Sequence, residues 1–83
     1  MRIFKTRWFA RSARKARISD TMLTDAIREV EKGLVDGRIG RGLIKKRVAR
    51  TGEGKRGGYR TIIVYRAGSR SVFVYGFPKK RKN

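Results

Sequence analysis

Residues Lys55 to Arg66, Lys-Arg-Gly-Gly-Tyr-Arg-Thr-Ile-Ile-Val-Tyr-Arg, constrain the fold more than any other stretch. The segment opens as a basic, glycine-rich loop and turns into an apolar run rich in β-branched and aromatic residues. Gly57 and Gly58 free the backbone for a close approach. Tyr59 to Tyr65 then reads as a central strand. Arg60 stands at its head and Arg66 closes it. A guanidinium there, beside a basic loop, is suited to holding phosphate. It is also suited to covering a strand end, and pattern alone leaves both readings open.

The remainder must support that strand with little material. An 83-residue chain is expected to be one small domain, with a thin core and no cysteine to staple it. The net charge of +18, from 24 Lys and Arg against 6 Asp and Glu, works against compaction and favours polyanions, nucleic acid first. No long apolar run and no signal-peptide core occur, so no membrane partner is expected, and the default location is cytoplasmic. Histidine is absent, which removes the usual acid/base and the commonest metal ligand. The acids are Asp20, Asp25, Glu29, Glu31, Asp36 and Glu53. Five fall between residues 20 and 36, where they read as the solvated face of one helix. A converging carboxylate set for a metal is not expected, nor is any cofactor.

Arg2 to Lys5 reads as a short strand and Thr6 as an N-cap. Arg7 to Arg17 is a basic helix, with Trp8 and Phe9 expected to pack inward because a small domain needs its large aromatics inside. Ser19 caps a second helix, and Ile18 with Leu23 fits a hydrophobic staple. Leu23, Ala26, Ile27, Val30 and Leu34 give the cleanest helical period in the chain, and Gly33 suits the position just past its end. Two bases against five acids turn this helix away from a polyanion. Asp36 to Gly42 reads as a loop and Leu43 to Arg50 as a basic, exposed strand. Thr51 to Gly58 reads as a glycine-rich connection without the Walker spacing. Tyr59–Arg66 and Ser71–Phe77 make a hairpin through Ala67-Gly68-Ser69-Arg70. Pro78 ends it, and a basic terminus follows. The fold class is α+β: an N-terminal strand, a two-helix hairpin and a three-stranded antiparallel sheet, in two layers.

Three stretches together resemble a known group. They are Arg2-Ile-Phe-Lys-Thr-Arg-Trp-Phe, Ile44-Lys-Lys-Arg-Val-Ala-Arg with the following Gly52-Glu-Gly-Lys-Arg-Gly-Gly-Tyr-Arg-Thr, and Val72-Phe-Val-Tyr-Gly-Phe-Pro-Lys. The chain resembles the RelE/ParE superfamily of type II toxin-antitoxin toxins, and most closely its HigB-like RelE branch. The resemblance covers essentially the whole chain, so residues 1–83 are expected to form a single RelE-like toxin domain. Members usually continue past the last strand into a C-terminal segment that contributes to the site; this chain stops at Asn83, where that segment would begin.

The resemblance implies a microbial-ribonuclease-like fold and a metal-independent endoribonuclease that enters the ribosome, cuts mRNA and halts translation. It implies an antitoxin protein as partner. The family's arginine at the head of the central strand falls on Arg60, the proposed phosphate clamp. Its other basic positions match Lys45 or Lys46, Lys55 and Arg56, and Lys79 or Lys80. Lys46 or Lys55 is the expected base, if crowded cations lower its pKa, and Lys79 or Lys80 the expected acid. Arg47, Arg66 and Arg81 are expected RNA contacts. Tyr59 is a candidate for stacking on a base, while core packing is favoured for Tyr75. Two other readings stand beside this one: a non-catalytic basic RNA-binding protein held by phosphate contacts, and a ParE-like toxin that inhibits gyrase.

Overall fold

A computed structural model describes residues 1–50 and 54–78, leaving aside the side chains of Arg50 and of residues 54–57. In chain order the elements are β1 (Arg2–Lys5), α1 (Arg7–Lys15), α2 (Asp20–Glu31), β2 (Gly37–Gly40), β3 (Leu43–Arg50), β4 (Gly54–Arg66) and β5 (Arg70–Pro78). One five-stranded sheet runs β1-β5-β4-β3-β2. The fold is α+β, with α1 packed on β5 and α2 on β3.

Both helices begin as their sequences direct, and α2 also ends so. Thr6 accepts from the Phe9 amide and Ser19 from the Met22 amide, so each cap satisfies a donor that the first turn leaves orphaned. Gly33 takes φ 86° after α2, and the Leu34 amide reaches back to the Glu29 carbonyl, closing a Schellman motif. The same motif ends α1 with Arg17 at φ 59°, an unusual left-handed residue that shortens the helix the sequence suggested.

The sheet differs from the expected one in three respects. First, β1 joins β5 in parallel, Ile3 facing Ser71, which makes the sheet mixed. Second, the presumed loop at 36–42 contains β2, which pairs antiparallel with β3. Arg41 and Gly42 both take positive φ, the geometry of a tight hairpin turn. Third, β4 begins at Gly54, inside the segment expected to be a loop. The alternating glycines there hid strand from a reading that relies on apolar side chains.

Alternation along β3 and β4 sends Ile44, Lys46 and Val48, and Tyr59, Thr61 and Ile63, to the helix-covered face. There they meet Phe9, Ala13, Leu23, Ala26, Ile27 and Val30. Phe9 sits at the centre, 4.9 Å from the Phe73 ring and 6.1 Å from that of Tyr59, which it meets edge-on. Burial of each such ring stabilises the fold by about 2–3 kcal/mol. Among the described residues no helix covers the other face of the sheet. Lys45, Arg47, Arg60, Ile62 and Val64 point to that open side.

Tyr59 is fully buried, which corrects its reading as a stacking residue. Its hydroxyl bonds Ser12 Oγ, which also donates to the Gly76 carbonyl at 3.1 Å. Burial pushes the Tyr59 hydroxyl above its ordinary pKa; the Ser12 bond opposes this and the nearby Tyr75 adds to it. Trp8 and Tyr75, expected in the core, are both exposed. For Tyr75 the cause lies in β5. Between Ile62 and Ile63 the β4–β5 register slips, so that Ile63 faces Phe73 while Ile62 faces Tyr75. Val74 is the extra residue of a β-bulge. Strict alternation would place Tyr75 on the side of Phe73; the bulge turns Tyr75 and Phe77 to the open face. Gly76 then lies on the covered face, where a Cβ would come within 2.8 Å of Phe9 and closer still to Tyr59.

Candidate nucleic-acid interface

The open face holds a cavity of about 270 Å³ lined by Asp36, Lys45, Lys46, Arg47, Arg60, Thr61, Ile62 and Phe77. Three neighbouring strands build it. Arg60 on β4 stands between Arg47 on β3 and Phe77 on β5, in direct register with each. Lys45 shares the face two residues along β3, opposite Ile62. Cations on adjacent strands thus converge over one hollow, with an aromatic ring on its other side. Such a hollow suits a phosphate flanked by a base.

Asp36 tunes this group. Its carboxylate accepts from the Arg47 amide at 2.6 Å and from Arg47 Nε at 3.0 Å. Burial alone would raise its pKa. The Arg47 amide, the Arg47 guanidinium and the charge of Lys46 outweigh that and hold the carboxyl below its ordinary value. Arg47 is therefore partly neutralised, and Arg60 faces the hollow with no ion pair recorded to it among the described residues.

Not all of the expected site residues gather here. Lys45, Arg47 and Arg60 do. Lys46 lines the hollow only from the covered side: its amino group is buried, 2.6 Å from Glu29 Oε1 and donating to the Leu34 carbonyl at 2.9 Å. That ion pair ties α2 to β3 and points the amino group under the sheet, away from Arg60 and the open face, which corrects the expectation of Lys46 as the base. Arg66 lies at the far end of β4, paired in register with Arg70, about 20 Å of strand from Arg60. Lys79, Lys80 and Arg81 lie outside the described residues, as do the side chains of Lys55 and Arg56.

Sequence reasoning missed Phe77 and Asp36. The signal for Phe77 was present in Tyr75-Gly76-Phe77, since a strand glycine between aromatics marks a bulge or a close approach. Asp36 was grouped with the acids of α2, from which the turn at Gly33 separates it. Among the described residues no three His, Cys, Asp or Glu side chains cluster to hold a metal, and no helix is long and apolar enough to cross a membrane.

The chain is a two-layer α+β domain whose open sheet face is lined with cations. The model of a family described as the RelE toxin of the RelE/RelB toxin-antitoxin system matches residues 1–83, and the chain belongs to that family of toxins. Membership implies an antitoxin as its protein partner. No curated protein matches the sequence.

Proposed function

We propose that this toxin is a metal-independent endoribonuclease that binds mRNA on its open sheet face, acts at the ribosome and so stops translation. The observation that supports the reading best is the convergence of Arg60, Arg47 and Lys45 over one hollow, with Phe77 across from Arg60. The reaction needs little from the protein. The 2′-hydroxyl of the RNA attacks the adjacent phosphorus, the P–O5′ bond breaks, and a 2′,3′-cyclic phosphate and a 5′-hydroxyl result. Arg60 binds the phosphate through two N–H groups and stabilises the charge that grows on its non-bridging oxygens. Arg47, held by Asp36, adds a second cation at the rim. Proton transfer is assigned to Lys55 and to Lys79 or Lys80, with Lys45 the described lysine on the same face as Arg60, opposite Ile62.

Controlled expression in bacteria, with primer extension on a reporter message, tests this. The wild-type chain is expected to arrest growth with cleaved message, and Arg60→Ala to leave growth and message intact while keeping its circular dichroism spectrum. A fully toxic Arg60→Ala variant sinks the assignment. Arrest with intact message and DNA damage would instead favour gyrase, and salt-sensitive RNA binding without cleavage a non-catalytic binder.

A further inference from the structure

Beside the Arg60 hollow runs a ridge of three exposed aromatic rings, Trp8, Tyr75 and Phe77. Trp8 and Tyr75 stack with centroids 4.7 Å apart and planes 11° from parallel, and Tyr75 lies 5.5 Å from Phe77. They remain 53 %, 45 % and 39 % exposed. A chain with eight Phe, Trp and Tyr residues in all thus leaves three of them together in water. Burying those rings would strengthen a thin core, so their display needs a reason.

The ridge is built rather than left over. The Val74 bulge turns Tyr75 and Phe77 outward, the kind of re-aiming that bulges provide beside functional sites. Thr6 then clips the start of α1 to the same place: its amide bonds the Phe73 carbonyl and its hydroxyl the Val74 carbonyl, both at 3.0 Å. Trp8, two residues on, is thereby laid flat against Tyr75. At one end the ridge meets Arg60, through Phe77. At the other, Trp8 shares a hollow of about 190 Å³ with Arg11, Ser12 and Lys15. The acids of α2 lie on the layer that covers the other face, packed toward β3.

We propose that Trp8, Tyr75 and Phe77 form a stacking platform for unpaired bases of an RNA strand. Its phosphates run from Arg60 at one end to Arg11 and Lys15 at the other. Stacked rings flanked by cations match a single strand, whose bases are free to stack, and not a duplex, whose bases are already stacked. A protein segment covering the ridge would need apolar groups with acids at both ends; the rings alone do not select it, whereas the cation–ring–cation order repeats the phosphate–base–phosphate order of an RNA strand. The choice of RNA over DNA rests on the ribonuclease reading.

Trp8 is the chain's sole tryptophan and so reports on the ridge directly. The purified full chain is titrated with oligouridylate, oligoadenylate and a duplex RNA at one fixed salt concentration, reading Trp8 emission. Single strands are expected to quench it and the duplex to leave it unchanged. Tyr75→Ala and Phe77→Ala, each folded by circular dichroism, should weaken single-strand affinity about 5- to 100-fold, the range for loss of one stacked base. Their dependence on salt should match the wild type, because no cation is lost. Trp8→Phe should retain most of the affinity and Trp8→Ala should not. Unchanged emission at saturating RNA, equal quenching by duplex, or full affinity in Tyr75→Ala overturns the proposal, as does emission that responds to the antitoxin alone. Cleavage is scored separately. Message cut equally by wild type and ridge variants of full affinity would end the platform and leave the nuclease standing. Stacking without any cleavage would end the nuclease and leave the platform.

Discussion

Lys46 Nζ lies 2.6 Å from Glu29 Oε1, joining β3 to α2 beneath the sheet. The lysine side chain is only 4 % exposed, and its amino group also donates to the Leu34 carbonyl at 2.9 Å. Lys46→Met removes the cation and takes one donor from each of the two acceptors. Because Glu29 still reaches water, a loss of about 1–3 kcal/mol is expected rather than the larger cost of a fully buried orphan. Glu29→Gln should cost less, and the double variant should fall short of the sum by about 1 kcal/mol. Urea unfolding of the four proteins measures this. Strictly additive losses would show that the pair is not coupled.

Among Gly33, Gly37, Gly40, Gly42, Gly68 and Gly76, Gly76 is expected to be the least replaceable. Its missing side chain is what lets the Tyr59 ring lie across β5, and an added Cβ would meet Tyr59 and Phe9 together. Those rings hold the centre of the core and have no vacant direction in which to move. Gly76→Ala should therefore destabilise by about 1–3 kcal/mol through overpacking. Gly68, in the β4–β5 turn, provides the contrast. A Cβ there meets nothing, but φ is 73°, so Gly68→Ala costs only the left-handed penalty of about 1 kcal/mol. Thermal or urea midpoints should rank the two variants in that order.

Salt should act on stability and binding with opposite sign. A net charge of +18 on 83 residues opposes compaction. Raising sodium chloride from about 20 to 300 mM screens that repulsion and should raise the unfolding midpoint. RNA affinity should fall over the same range, with a log–log slope of about −0.7 per phosphate neutralised on a single strand. Arg60→Ala should flatten that slope by about 0.7. A slope unchanged in Arg60→Ala would mean that Arg60 binds no phosphate.

Much of this arrangement was legible in the sequence where local chemistry decides it. Ser19, the Leu23–Val30 period and Gly33 specify α2 by capping and amphipathicity alone, and Ala67-Gly68-Ser69 specifies the β4–β5 turn. The place of Arg60 on a strand was legible too, since the β-branched run around it is bounded by glycines; its pattern alone did not choose between a phosphate clamp and a strand-end cover. What alternation could not reveal was phase. One extra residue, Val74, decides whether Tyr75 and Phe77 face the core or the solvent, and a bulge has no signature in apolar periodicity. Lys46 failed for a related reason. Lys45, Lys46 and Arg47 are chemically alike in sequence, and only the pairing of β3 with β4 shows that the middle one points under the sheet. The short strand β2 was hidden because its pairing rests on backbone bonds, with Gly37 and Gly40 contributing no side chain.

Asp36 offers a case in which stability and function should move apart. Its carboxylate is held below its ordinary value of 3.8, since the Arg47 amide, the Arg47 guanidinium and Lys46 overcome the effect of burial. A carboxyl whose folded pKa lies below its unfolded one stabilises the fold above the unfolded value. That stabilisation disappears as the pH falls through the folded value. The wild type should thus lose, below about pH 4, an increment that Asp36→Asn has already lost at neutral pH. Both partners reach solvent, so this increment is about 1 kcal/mol. Other carboxyls titrate in the same range, and the difference between the two proteins carries the result: their urea midpoints should converge as the pH drops from 6 to 3. RNA binding should respond in the opposite direction. Without the carboxylate, Arg47 is released beside Arg60, and the hollow gains one net positive charge. Asp36→Asn should bind single-stranded RNA more tightly, with a slope steeper by about 0.7 if the freed guanidinium takes a phosphate. Midpoints that stay parallel through pH 3, or affinity that falls with the substitution, would show that Asp36 does not restrain Arg47 in this way.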